Sequence, residues 1–183
     1  MIEALLAAPL VQGIGLLGTL GGMLWPLFPG RRGMLAAQTI TSVFFTIHYA
    51  LLGAQTGAVM NSLSAVQAAA AIPLGTRPGF RLVYLATTVP IAAGLALTWN
   101  GWPSLFAAAG TLLITLARYQ VSVVWFRVLM AVGLPCWFGH NLMVVSVPGM
   151  ISDVVGMTVN GVMLVRLLAV RAPVREGVVG ENA

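Results

Sequence analysis

Apolar runs of about 20 residues dominate the chain, separated by short stretches that carry glycine, proline and arginine. The runs lie near 5–26, 34–53, 55–74, 82–99, 102–117, 125–145 and 148–168. They predict seven helices, each long enough to cross a hydrocarbon core roughly 30 Å thick at about 1.5 Å of rise per residue. Alternating polarity over ten-residue segments, the mark of a membrane barrel strand, is missing. A backbone in lipid has to satisfy its hydrogen bonds within its own segment, so continuous helix is the expected form. Only Gly53-Ala54-Gln55 separates the second run from the third, and Ser146-Val147-Pro148 the sixth from the seventh. Turns this short force antiparallel neighbours. Met1–Ile14 does not read as a signal peptide, because Glu3 stands where positive charge is needed and the apolar run continues into a full span.

The polar interruptions repeat. Gly18-Thr19-Leu20 recurs as Gly110-Thr111-Leu112, a shift of 92 positions (110 − 18). The same shift aligns His48 with His140, Gly57 with Gly149 and Asn61 with Asp153. The predicted architecture is therefore an all-α integral membrane protein with an internal duplication. Residues 5–74 form one three-helix bundle, 82–99 a linker helix, 102–168 a second three-helix bundle and 169–183 a cytoplasmic tail. An odd number of helices per unit plus one linker gives both units the same orientation, related by an axis along the membrane normal.

Composition fixes the solvent. Charged residues make up 7% of the chain and apolar ones 59%, and the mean hydropathy is +0.97. Soluble domains carry roughly a quarter charged residues, so this chain needs a lipid bilayer. All nine basic residues are arginines, and in a seven-span arrangement every one falls on the same side. The connections near Ala54, Asn100 and Ser146 carry none. The positive-inside rule then puts the N-terminus outside and the C-terminus in the cytoplasm. The net charge of +5 reads as topology and contact with anionic headgroups, not as nucleic-acid binding. The absence of lysine excludes a Schiff-base or lysine-nucleophile mechanism, and the lone Cys136 excludes an intrachain disulfide. The spacing Gly13-Ile-Gly15-Leu-Leu-Gly18 matches a dinucleotide fingerprint formally, but it lies inside a predicted membrane helix and reads as helix packing.

Asp153 is the only acid inside a predicted span. Its insertion near a helix centre costs roughly 2.5–3.5 kcal/mol, so it is expected to face the bundle interior. Gly149, Asp153, Gly156 and Asn160 share one helical face, as do Gly57, Asn61, Ser64 and Ala68. His48 and His140 lie at a similar depth. No spacing such as HExxH points to a metal or to a catalytic pair, and neither a cofactor nor an enzyme activity is expected.

The segment His48-Tyr-Ala-Leu-Leu-Gly-Ala-Gln-Thr-Gly-Ala-Val-Met-Asn61 resembles the signature of the YgjV-type bacterial inner-membrane proteins. So do Pro135-Cys-Trp-Phe-Gly-His-Asn141 and the Gly149–Asp153 region. The arrangement of three, one and three helices also resembles the SWEET and SemiSWEET (PQ-loop) carriers. In those bundles an aromatic residue and an Asn sixteen positions later form the solute site. Here Phe45 precedes Asn61, and Trp137 precedes Asp153, by that interval. The resemblance implies a transporter for a small polar solute such as a sugar. Phe45 and Trp137 would stack on it, Asn61 and Asp153 would hydrogen-bond it, and His48 and His140 would complete or gate the site. An Asp in place of one Asn favours proton or cation coupling. A non-transporting receptor, sensor or scaffold on the same fold is the alternative. One chain holds both repeats, so a homo-oligomer is not required.

Overall fold

The computed structural model describes residues 8–75 and 77–171. Among them are seven α-helices and no strand: α1 Pro9–Leu24, α2 Arg31–Leu52, α3 Gln55–Ala71, α4 Arg81–Leu97, α5 Trp102–Tyr119, α6 Val123–Met143 and α7 Val147–Arg171. Short 3-10 turns at Trp25–Leu27, Ile72–Gly75 and Pro78–Phe80 connect some of them. Glu3 and the stretch 172–183 lie outside the described residues, and α7 runs through Arg171, past the end expected near residue 168.

Six of the helical segments are long and apolar enough to cross a membrane. The exception is α5, where Ser104, Thr111, Thr115 and Arg118 lower the hydropathy of the helix. All four are buried. Leucine, valine and isoleucine instead point outward on most helices, with Leu10, Leu85 and Val165 each more than 60% exposed. The outer face is thus apolar, while polar side chains are turned inward beside an apolar core, the arrangement that a lipid solvent selects.

The helix neighbours close into a cycle. Helix α1 packs on α2, α2 on α3, α3 on α5, α5 on α6, α6 on α7 and α7 back on α1. A shift of 92 residues maps α1, α2 and α3 onto α5, α6 and α7, and it maps this set of neighbours onto itself. Helix α4 stays outside the cycle, against α3 and α5. Its Leu82, Leu85 and Val89 are exposed and its Ile91 buried.

The turn between α2 and α3 repeats between α6 and α7. Ala54 donates its backbone N–H to Tyr49 O at 2.9 Å, and Ser146 donates to Asn141 O at 2.9 Å. Both turns need a left-handed residue. The first copy uses Gly53 (φ 78°), the second Val145 (φ 55°). A β-branched residue is strained there, by about 1–3 kcal/mol. Val145→Gly is expected to raise stability by about 1 kcal/mol, read as a higher midpoint of thermal unfolding in detergent; a lower midpoint would refute this strain.

Three arginines depart from the purely topological reading. Arg31, Arg118 and Arg127 are buried inside the protein. Arg31 donates to the carbonyls of Ala71 (2.8 Å), Arg118 (2.7 Å) and Gln120 (2.8 Å), so one cation caps the C-terminal ends of α3 and α5. Arg118 reaches Gln38 Oε1 at 3.1 Å and Gln67 Oε1 at 3.2 Å. Arg127 reaches Asn160 Oδ1 at 3.3 Å and Phe28 O at 2.9 Å. Charge counting cannot separate these groups from Arg32, Arg77 and Arg166, which are exposed.

Candidate functional site at the centre of the helix cycle

Side chains meet at the centre of the cycle across the repeat. Gln38 and Met130 are 92 positions apart, and Gln38 Nε2 approaches Met130 Sδ at 3.8 Å. Tyr49 and Asn141 are also 92 apart, and Tyr49 Oη donates to Asn141 Oδ1 at 2.5 Å. A residue that touches its own repeat counterpart lies beside the symmetry axis. These two contacts therefore mark a pseudo-twofold axis running between α2 and α6.

A cavity of about 80 Å³ lies on that axis, with room for a few waters. Its wall includes both members of six repeat pairs: Gly22 and Ile114, Gln38 and Met130, Ser42 and Leu134, Phe45 and Trp137, Tyr49 and Asn141, Asn61 and Asp153. Every pair differs in residue type. The α2 wall is polar at Gln38 and Ser42, whereas the α6 wall is apolar at Met130 and Leu134. The helix neighbours follow the repeat, but the chemistry of the wall does not.

Four of the six residues anticipated from sequence thus line one cavity. Phe45 stacks on Tyr49 at a centroid distance of 5.6 Å, and Trp137 stacks on the same ring at 6.0 Å. Tyr49 therefore lies between the two expected aromatic residues. Asn141 Nδ2 donates to Asp153 Oδ2 at 2.7 Å, which extends the chain from Tyr49 on α2 through α6 to α7. Asn61 donates Nδ2–H to Gly57 O at 3.1 Å within α3. Asp153 and Asn61 are each 8% exposed, so both are buried against the cavity wall and covered from outside. Arg118 and Ser152 join the lining, which puts a cation and a carboxylate on one small space.

The two histidines stand elsewhere and are not among the residues lining this cavity. His48 Nδ1 lies 2.9 Å from Val11 O, and His140 Nδ1 2.8 Å from Pro103 O, the same bond in each repeat. Both rings touch Tyr49, at centroid distances of 5.3 Å and 5.4 Å. Among the described residues no cluster of three His, Cys, Asp or Glu side chains is arranged to hold a metal ion.

Tyr49, Asn141, Gln38 and Arg118 were not anticipated. A signal for three of them exists. Gln38, Ser42, Phe45 and Tyr49 follow i, i+4, i+7, i+11 on α2, and Met130, Leu134, Trp137 and Asn141 follow it on α6. Arg118 carried no comparable signal, because an arginine at a helix end reads as a surface charge. Tyr49→Phe keeps the stacked rings and removes one donor, leaving Asn141 Oδ1 unsatisfied. The expected loss is about 1–2 kcal/mol of unfolding free energy, and an unchanged thermal midpoint would show that the chain from α2 to α7 contributes nothing.

A ring of apolar-faced helices around a polar, buried centre defines a multi-pass α-helical membrane protein with a duplicated core. The chain belongs to the Imp-YgjV family, bacterial inner membrane proteins, whose family model matches residues 9–171. No curated protein and no solved structure matches this chain.

Proposed function

We propose that the protein is a transporter for a small polar solute, working by alternating access about the central cavity. The observation that supports it is the position of that cavity. It lies on the repeat axis, and all six helices of the cycle contribute to its wall. A site held equally by two similar halves can open to either side as the halves rock. In this reading all seven helices cross the membrane in a 3+1+3, SWEET-like scheme, with the N-terminus outside. Helix α5 crosses with its polar face turned inward.

Phe45 and Trp137 supply aromatic faces to the solute, and Asn61 and Asp153 fix its polar groups. Arg118 at the other end of the cavity favours a solute that carries an acceptor as well as a donor. The volume of about 80 Å³ is that of a contracted state, and a sugar-sized solute requires the halves to separate. Proton or cation coupling through Asp153 belongs to the same proposal.

The small volume also favours the alternative, a non-transporting receptor, sensor or scaffold in which Tyr49, Asn141 and Asp153 satisfy one another. A stabilisation screen of sugars, nucleosides and cationic metabolites, followed by flux measurement of any stabilising solute in proteoliposomes, separates the two. Stabilisation without flux would reject transport.

A further inference from the structure

The two histidines make the same bond at one ring nitrogen and differ at the other. Each ring's Nδ1 faces a backbone carbonyl, Val11 O for His48 and Pro103 O for His140. A carbonyl only accepts, so Nδ1 carries the hydrogen in both rings and Nε2 presents a lone pair. His48 Nε2 lies 2.9 Å from Ser146 Oγ, whose hydroxyl supplies the donor. The repeat counterpart of Ser146 is Ala54, which has no hydroxyl. His140 Nε2 is accordingly buried with no hydrogen-bond partner among the described residues. A buried acceptor without a donor is rare in native proteins and calls for an explanation.

A second cavity, of about 370 Å³, lies against His140. His140 and Ala54 both line it, together with Gln55, Thr56, Trp99, Asn100 and Ser104. It lies among the connections that carry no arginine. Among the described residues no charged side chain contributes to its wall, so none of them neutralises an ammonium or holds an anion. Amide and hydroxyl groups beside an indole match instead a neutral, hydroxyl-rich molecule with an apolar C–H face.

We propose that this cavity binds a small neutral polyol, one of whose hydroxyls donates to His140 Nε2 as Ser146 Oγ–H does to His48. The nitrogen is covered in this conformation. Ala54 and the first turn of α3 with Gly57 stand over it, and a Cβ on Gly57 would stand 2.6 Å from Nε2. The backbone of this turn has to lift for the hydroxyl to enter, and Gly57 adds no side chain to the segment that moves. The missing serine leaves the nitrogen without the donor that His48 has. The site does not depend on the central cavity carrying a solute.

The chain has only two histidines, so 15N-histidine labelling of the full chain in lipid nanodiscs yields two imidazole spin systems. Ribitol is the probe. Titration at millimolar concentrations is expected to move the His140 Nε2 resonance saturably towards the hydrogen-bonded range and leave His48 in place. In Ala54→Ser the His140 resonance should begin at the bonded value and respond at least tenfold less. Asn100→Ala, in a polar lining position, should weaken the ribitol response several-fold with the starting resonance unchanged, which keeps the test open if Ala54→Ser folds poorly. Ser146→Ala should move His48 alone. A His140 Nε2 already at the bonded value without ribitol would mean water only and overturn the proposal. So would a titration without saturation, or an equal ribitol response in Ala54→Ser.

Discussion

Replacing Arg31 by methionine is expected to lower the unfolding free energy by about 3 kcal/mol, while the same change at the adjacent Arg32 stays within about 0.5 kcal/mol. The two residues are equal in a count of positive charge along the chain. They are not equal in the fold. Arg31 is 8% exposed and holds the last carbonyls of α3 and α5 together, at 2.7–2.8 Å. A cation at two helix C-termini satisfies orphan acceptors and opposes both dipoles, and methionine fills the space without a donor. Because these bonds cross from one repeat to the other, their loss should also loosen the contact between the halves. Thermal unfolding in lipid nanodiscs measures both variants side by side. Equal midpoints would mean that Arg31, like Arg32, acts only as a topological charge.

Asp153→Asn is expected to reduce flux of a stabilising solute by about 10–100-fold, with much less effect on folding. The substitution keeps shape and removes charge. A charge-assisted hydrogen bond is worth about 1.5–3 kcal/mol, which corresponds to that range of rate or affinity. The Asn141 contact at 2.7 Å survives if one amide turns over, so the cavity wall stays in place. Asn61→Asp places the same charge in the other repeat and should not restore flux in the double variant, because the walls flanking the two positions differ: Trp137 and Leu134 on one side, Phe45 and Ser42 on the other. Unchanged flux in Asp153→Asn across pH 5–8 would remove the carboxylate from the mechanism.

Hydropathy alone made the helices legible, since length and apolar content dictate the state of a segment in lipid. Periodicity along α3 and α7 also placed Asn61, Ser64, Asp153 and Asn160 on faces that the structure buries. Helix α5 shows the limit of that reading. Its apolar run is interrupted by groups that turn inward, so hydropathy scores it below its neighbours although it occupies the same place in the cycle as α1.

The interval of 92 residues predicted which residues correspond, but not which of them touch. Tyr49 and Asn141 meet at the axis, Phe45 and Trp137 stack on either side of Tyr49, and the histidines bind the preceding helices. An alignment treats all these pairs alike, because it has no distance from the axis in it. What the sequence by itself determined was the solvent, the helices and the duplication, each a property of local composition and spacing. The tertiary structure alone decided which arginines are interior, which repeat pairs face each other across the centre, and which histidine lacks a donor. Those properties depend on how two diverged copies close around a common axis, and contact between residues far apart in the chain has no local signal.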